Sequence, residues 1–120
     1  MDILVVDDSK AMRMIVKRNL RQAGYGEAEV TEASNGVEAL GLIRSNDFDL
    51  VLSDWNMPEM SGIELLQATR SEGIKVNFGF VTSEGSPEIR KLAQEHGALF
   101  LIVKPFTPDA LEKAVDLVGA

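Results

Sequence analysis

The chain alternates short runs of apolar residues with longer segments in which apolar residues recur at helical spacing. A short continuous apolar run predicts a buried strand, whereas recurrence every three to four residues predicts a helix with one face against a core. On this pattern the sequence predicts five strands and five helices in strict alternation. The predicted strands fall at 3–6, 27–33, 49–53, 76–81 and 99–103.

Residues that cap helices mark where the predicted helices begin. Serine, threonine and asparagine side chains accept hydrogen bonds from the free N–H groups of a first helical turn, and proline fits the first helical position. Ser61 and Glu64 form the pattern of a capping box, for a helix through about residue 70. The other predicted starts are Ser9, Ser34-Asn35, Ser86-Pro87 and Thr107-Pro108, with Gly24 and Gly97 as helix ends. The helical residues predicted to face the core are Met12, Ile15, Val16, Leu20, Ala23, Val37, Leu40, Ile43, Ile89, Leu92, Ala93, Leu111, Ala114, Val115 and Val118.

Strict alternation with short connections predicts right-handed crossovers and a parallel sheet covered by helices on both faces. The apolar runs at 3–6 and 50–52 fit central strands, which are buried on both sides. We therefore expect an α/β fold: a single doubly wound (βα)5 flavodoxin-like domain over residues 1–120, with a five-stranded parallel sheet in the order 2-1-3-4-5.

Four of the predicted strands run into a residue that can handle metal or phosphate. Asp7-Asp8 follow the first strand, Asp54 the third, Thr82 the fourth and Lys104 the fifth. In open parallel sheets, ligands bind beyond the carboxyl ends of the strands, where the strand order reverses. For the order 2-1-3-4-5 this point lies between strands one and three, which carry all three acids.

The three carboxylates are expected to be crowded, because neighbouring strands are about 4.8 Å apart. Two unit charges about 5 Å apart repel by roughly 3 kcal/mol at an effective dielectric constant of about 20. A cation would relieve this repulsion, and oxygen ligands without histidine or cysteine favour Mg²⁺ or Mn²⁺ over zinc. A single acid such as Asp8 could instead cap a helix or bind solvent. That alternative accounts poorly for three acids together with Thr82 and Lys104.

Composition narrows the functional classes. The net charge is −7 and there is no cysteine, which excludes disulfides and thiolate chemistry. Because phosphate contacts need a basic face, we expect no nucleic-acid partner and no binding to an anionic membrane. No apolar stretch approaches the roughly 18 residues of a membrane span, and the first residues lack the basic start of a signal peptide. We therefore expect a soluble, cytoplasmic protein.

The polar strand ends and their flanking residues resemble the receiver domains of two-component response regulators, and among these most closely the stand-alone chemotaxis regulators. The resemblance covers essentially the whole chain, from the first strand to the last helix. It rests on Asp7-Asp8-Ser9, Ser53-Asp54-Trp55-Asn56-Met57-Pro58 with Gly62, Thr82-Ser83 and Lys104-Pro105-Phe106. It implies a signalling switch that catalyses only its own phosphorylation and dephosphorylation and is otherwise no enzyme.

The resemblance also implies roles for the acids. Asp54 is similar to the phosphoacceptor, which takes a phosphoryl group from a phosphohistidine of a sensor histidine kinase. Asp8, Asp54 and the backbone carbonyl of Asn56 are similar to the Mg²⁺ ligands, with Asp7 acting mainly through water. A carboxylate that attacks a phosphate meets like charge, so metal and lysine must neutralise it.

By the same resemblance, Thr82 is the hydroxyl that bonds a phosphoryl oxygen and shifts on activation. Lys104 pairs with the carboxylates before phosphorylation and with the phosphate afterwards, and the peptide bond to Pro105 is cis. Asn56 and Glu84 occupy the two positions that modulate the lifetime of the phosphoryl group, in a direction the resemblance leaves open. The implied partners are the kinase, a phosphatase and a downstream protein on the face formed by helix 4, strand 5 and helix 5.

One position departs from the pattern of many receivers. They carry an aromatic residue three positions before the lysine, and its rotation accompanies the threonine shift; here that residue is Leu101, preceded by Phe100. The phosphorylation chemistry does not need the ring, but the output face then switches by another movement or through Phe100. Trp55, beside Asp54, is expected to report optically on the site. His96, the only histidine, is expected to interact with a helix dipole and to take no part in catalysis.

Three alternatives accompany this hypothesis. A receiver fragment of a larger regulator or hybrid kinase would have the same sequence pattern. A Mg²⁺-dependent phosphohydrolase with an aspartyl nucleophile typically needs Asp-x-Asp on its first strand, where this chain has Asp7-Asp8-Ser9-Lys10. A structural pseudo-receiver is disfavoured because every acid, the hydroxyl and the lysine are present.

Overall fold

The computed structural model describes residues 1–119. They form one five-stranded parallel sheet in the order β2-β1-β3-β4-β5, which confirms the predicted fold and strand order. The last residue of the predicted domain, Ala120, lies outside the described residues. The strands are β1 Asp2–Val6, β2 Glu29–Ala33, β3 Leu50–Ser53, β4 Asn77–Thr82 and β5 Phe100–Val103.

A helix follows each strand, and the predicted caps begin all five. The side chains of Ser9, Asn35, Ser61, Ser86 and Thr107 each accept a hydrogen bond from the N–H group three residues further on. The first helix continues into a π-type turn, Arg21–Tyr25, and the last into a 3-10 turn, Asp116–Gly119. The helices are α1 Lys10–Leu20, α2 Gly36–Ser45, α3 Gly62–Ser71, α4 Pro87–Glu95 and α5 Pro108–Val115. Among residues 1–119, no helix is long and apolar enough to cross a membrane.

Alternate side chains of the central strands enter two separate cores. Leu4 and Val6 pack on the side of α2, α3 and α4, whereas Ile3 and Val5 pack on the side of α1 and α5. The prediction for Val37 was wrong, because its side chain is 54% exposed. The helix α2 begins only at Gly36, and its buried stripe runs through Gly36, Ala39, Leu40 and Ile43, so that Val37 faces solvent.

The strand register places the chemically active residues side by side. Val6 is paired with Ser53, and Thr82 with Val103, so the residues after these strands leave the sheet at one edge. The ladder extends one step further, because the Asp54 N–H donates to the Val6 carbonyl at 2.9 Å and the Lys104 N–H to the Thr82 carbonyl at 2.8 Å.

Candidate functional site

Three carboxylates converge at the carboxyl edge of the sheet, as the strand ends predict. One oxygen from each of Asp7, Asp8 and Asp54 lies within 4.8 Å of the others. Asp7 is buried, Asp54 is partly buried and Asp8 is exposed, so the cluster opens to solvent on the Asp8 side. These oxygens match the preference of a hard divalent cation, and no nitrogen or sulfur ligand competes within the cluster.

Lys104 follows β5, the outer strand of the sheet, and its side chain reaches this cluster. Its Nζ lies 3.0 Å from Asp7 Oδ2 and 3.5 Å from Asp54 Oδ2, and the lysine side chain is only 16% exposed. The peptide bond between Lys104 and Pro105 is cis, as the resemblance implied. One ammonium group therefore offsets part of the charge of three carboxylates, and the site keeps an excess of negative charge.

The Asp54 carboxylate is held at one oxygen and faces the lysine with the other. Its Oδ1 accepts a 2.7 Å hydrogen bond from the Trp55 N–H, and its Oδ2 is the atom near Lys104. Burial raises the pKa of Asp54, the charge of Lys104 opposes this rise, and the neighbouring Asp7 adds to it. An anion whose pKa is raised in this way is destabilised by its surroundings, and a cation or a change of charge would relieve it.

Thr82 ends β4 beside the acids, and its side chain is fully buried. Its Oγ1 accepts a 3.2 Å hydrogen bond from the N–H of Glu84, and the nearby Thr82 hydroxyl acts to lower the pKa of Asp54. The Thr82 hydroxyl thus contacts the loop before α4.

The loop after Asp54 is packed closely against that residue. A Cβ on Gly62 would come within 2.1 Å of the Asp54 carbonyl oxygen, so only glycine fits where α3 begins. The Gly62 N–H donates to the Trp55 carbonyl at 2.7 Å, and the Trp55 ring packs 4.8 Å from the Phe80 ring, measured between centroids. Trp55 therefore contacts the site through its backbone and the core through its indole.

Phe100 and Leu101 point to opposite faces of β5. Leu101 packs with the core on the α4 side, whereas Phe100 packs with the core on the α1 and α5 side, where its ring lies against Gly79. A ring at Phe100 cannot occupy the position of an aromatic at Leu101, because neighbouring strand residues alternate between faces. On the α4 side of β5, the position that is aromatic in many receivers therefore holds a leucine.

The structure brings Asp7, Asp8, Asp54, Thr82 and Lys104 together and keeps His96 away from them. His96 follows α4 and lies 3.3 Å from Gln67 of α3, measured between the side-chain nitrogens, at the helix end remote from the acids. The sequence reasoning overlooked Arg13, whose Nη1 donates to the Asp7 carbonyl at 2.6 Å. The only signal for it was a basic residue on the part of α1 that follows the acids.

Comparisons with known proteins agree with this geometry. The sequence matches the family described as "Response regulator receiver domain" over residues 3–116. A chemotaxis protein CheY homolog of Campylobacter jejuni is 43% identical, over 99% of this chain and 93% of its own length. Chemotaxis protein CheY1 of Helicobacter pylori is 40% identical, over 98% of this chain and 96% of its own. The structure of Vibrio cholerae CheY4 superposes with a TM-score of 0.85 at 39% identity, covering 98% and 97% of the two chains.

The chain therefore belongs to the response regulator receiver domain family. It is a receiver of two-component signal transduction, a class of signalling switch that works with histidine kinases and downstream targets. The comparisons give no support to the phosphohydrolase alternative.

Proposed function

We propose that this receiver accepts a phosphoryl group on Asp54 in a Mg²⁺-dependent reaction and signals by phosphorylation-dependent protein binding in chemotaxis. The observation that carries the proposal is the position of Asp54 between two acids and one lysine. Its carboxylate lies within 4.8 Å of those of Asp7 and Asp8 and 3.5 Å from Lys104 Nζ. Chemotaxis is proposed because the relatives that cover nearly the whole chain carry that name.

Asp8, Asp54 and the backbone carbonyl of Asn56 would hold Mg²⁺, with Asp7 acting through water; Mn²⁺ would fit the same oxygens. The bound cation would neutralise the charge that builds up as phosphate meets carboxylate. Asp7 is the acid that pairs most closely with Lys104, at 3.0 Å. It therefore holds the lysine beside the site while Asp8, exposed to solvent, stays open to a metal.

In the transfer step a carboxylate oxygen of Asp54 forms a bond to phosphorus as the bond from phosphorus to the kinase histidine breaks. The product is an acyl phosphate on Asp54, and the histidine leaves with its nitrogen lone pair. Lys104, already 3.5 Å from the reacting carboxylate, provides positive charge for the transferred group. The Thr82 oxygen accepts from the Glu84 N–H, so the hydroxyl keeps its own hydrogen and would donate it to a phosphoryl oxygen.

The proposed partners follow from this switch. A sensor histidine kinase supplies the phosphoryl group, and a phosphatase shortens its life. A downstream protein binds the face formed by α4, β5 and α5, because the Thr82 hydroxyl contacts the loop that leads into α4. Residues 1–120 are proposed to act as one receiver domain in this pathway.

The test is phosphorylation by acetyl phosphate, a small donor that needs no kinase. With Mg²⁺ present, the intact mass should rise by one phosphoryl group in the wild-type protein and remain unchanged in Asp54→Asn. Asp47→Asn is a matched control, because Asp47 is an exposed aspartate on the loop before β3. The proposal fails if Asp54→Asn is labelled at the wild-type rate, or if the wild-type protein is labelled equally well after chelation of Mg²⁺.

A further inference from the structure

Asp7 is held on every polar atom of its main chain and side chain. Its N–H donates to the Ala33 carbonyl at 3.1 Å, and its carboxylate accepts from the Ser9 N–H at 2.9 Å and from Lys104 at 3.0 Å. The remaining atom, its carbonyl oxygen, accepts a 2.6 Å hydrogen bond from Arg13 Nη1. The first three contacts follow from the sheet, the turn and the lysine already described. The contact with Arg13 is different, because neither the sheet nor the turn depends on this side chain.

Arg13 is itself fixed in place. Its Nε pairs with Glu32 Oε1 at 2.9 Å, and Lys17 Nζ pairs with the other Glu32 oxygen at 3.2 Å. The Arg13 side chain is 14% exposed, far less than the 34% of Lys17. A guanidinium group holds its donors in a rigid fork, so it bonds two acceptors with less loss of freedom than a flexible ammonium does. Arg13 thus connects β2 to the turn between β1 and α1.

The peptide group that accepts from Arg13 is the one that joins Asp7 to Asp8. Its orientation sets the direction in which both residues leave the backbone. Asp7 has other contacts to hold its carboxylate, whereas Asp8 is exposed, so a shift of this peptide would change the direction of Asp8 more than that of Asp7. Groups that orient metal ligands without touching the metal commonly change metal affinity by about ten- to a hundredfold when removed.

We infer that Arg13 is a positioning residue, which fixes the peptide between Asp7 and Asp8 and thereby sets the affinity of the acidic cluster for a divalent cation. This inference rests on the Mg²⁺ site of the proposed function. It assigns to α1 and β2 a part in metal binding, although neither element carries a ligand.

Charge and position make opposite predictions for the test. Removing a nearby positive charge should by itself strengthen cation binding, since less repulsion opposes the metal. Loss of the hydrogen bond to the Asp7 carbonyl should weaken it. Lys17→Met is the matched control, because it removes one charge from the same cluster and leaves the contact between Arg13 and Asp7 in place.

The experiment is a Mg²⁺ titration of the folded proteins, followed by Trp55 fluorescence and by calorimetry. Arg13→Met should bind Mg²⁺ about tenfold more weakly than the wild-type protein, whereas Lys17→Met should bind equally well or more tightly. Arg13→Lys, which keeps the charge and a single donor nitrogen, should recover part of the loss. Glu32→Gln, which keeps Arg13 but removes its ion pair, should weaken binding by a smaller factor, about threefold.

Each outcome separates a positioning role from a merely structural one. A structural role would lower the urea midpoint of Arg13→Met and leave its Mg²⁺ affinity, measured where the protein is fully folded, at the wild-type value. That result would overturn the inference and leave the proposed function standing. A wild-type protein that binds no Mg²⁺ would overturn the metal site and this inference together. If Arg13→Met does not fold, Glu32→Gln and Arg13→Lys decide by the same titration.

Discussion

The side-chain amide of Asn56 donates a 3.1 Å hydrogen bond to the Glu84 carboxylate, which joins the loop after β3 to the loop after β4. Both residues are exposed, and they lie two positions beyond Asp54 and Thr82 respectively. The pair therefore forms an exposed bridge between the two loops that follow Asp54 and Thr82. The two positions that the resemblance links to the lifetime of the phosphoryl group are in direct contact here.

We predict that Asn56 and Glu84 act on the phosphoryl lifetime as a coupled pair. Residues in contact usually show interaction energies of about 0.5 kcal/mol or more, whereas distant residues act additively. The factor by which the double variant Asn56→Ala/Glu84→Ala changes the dephosphorylation rate should thus differ about twofold or more from the product of the two single-variant factors. The rates are measured after phosphorylation with acetyl phosphate and rapid removal of the donor. Additive changes would show that the hydrogen bond has no part in the lifetime.

The Asp54 carboxylate makes the site electrostatically unfavourable without metal. Its side chain is only 13% exposed, and this burial raises the pKa of Asp54 despite the nearby charge of Lys104. We predict that Asp54→Asn raises the free energy of unfolding of the metal-free protein at neutral pH by about 1 kcal/mol, since it removes one of three crowded charges. Urea unfolding measures this, with Asp47→Asn as the control for an exposed aspartate.

The pH dependence of this effect has a definite sign. Because the folded-state pKa of Asp54 is raised, ionisation of Asp54 destabilises the fold. Its contribution to stability is fully present below the unfolded value of about 3.9 and is lost as the pH rises through the folded-state pKa. The difference in free energy of unfolding between Asp54→Asn and the wild-type protein should therefore be small in acid and reach its full size at neutral pH. Saturating Mg²⁺ should stabilise the wild-type protein and narrow this difference. A less stable Asp54→Asn in the absence of metal would contradict this account.

The fold was predictable because local signals and the hydrophobic pattern agree in this chain. Ser61 and Glu64 both satisfy the capping box that their spacing predicts, and the apolar runs define buried strands. Val37 shows the limit of this reasoning. Its spacing to Leu40 and Ile43 fits the apolar face of α2, but Val37 directly follows the first helical residue, and the pattern alone does not determine which side of the first turn faces the sheet.

The acids, Thr82 and Lys104 were predictable for a different reason. In a parallel sheet, the residues that end neighbouring strands lie at the same edge, so their sequence positions fix their proximity. Arg13 has no such constraint, because its contact with Asp7 depends on the rotamer of a long side chain and on Glu32 from another strand. The direction of a long, flexible side chain does not follow from the hydrophobic pattern of the sequence.

The contact between Gly79 and Phe100 can be tested by a change of volume. A Cβ on Gly79 would lie 2.3 Å from the Phe100 ring, so Gly79→Ala should lower the free energy of unfolding by about 2 kcal/mol. Phe100→Leu removes the ring atoms that would clash, and the double variant should be at least about 1 kcal/mol more stable than the sum of the single effects predicts. Thermal or urea unfolding measures all three.

The control for this pair is Gly41→Ala in α2, where an added Cβ meets no atom within 4 Å. That substitution should be neutral or slightly stabilising, since alanine favours a helix. A strictly additive Gly79 and Phe100 pair would show that the ring does not rest on Gly79.

Tyr25 and Asp116 connect the turn after α1 to the turn after α5, and their contact gives a prediction at alkaline pH. The Tyr25 hydroxyl donates to Asp116 Oδ1, and this hydrogen bond, followed by burial and the charge of Asp116, raises the pKa of Tyr25 to about 12. Because the folded-state value lies above the unfolded one of about 10, the contribution to stability is present below about pH 10 and is lost as the pH rises towards 12. Tyr25→Phe should cost only about 0.5 kcal/mol, since the pair lies near the surface.

The chain has a single tyrosine, so the absorbance of the phenolate follows Tyr25 alone. Asp116→Asn should bring the pKa of Tyr25 down towards its ordinary value, because the amide oxygen is a weaker acceptor and carries no charge. Asp109→Asn, at an exposed acid in the first turn of α5, should leave the titration unchanged. If the titration of Asp116→Asn matched that of the wild-type protein, the raised pKa of Tyr25 would have to come from burial and the charge of Glu112, and the two turns would not be joined through this hydrogen bond.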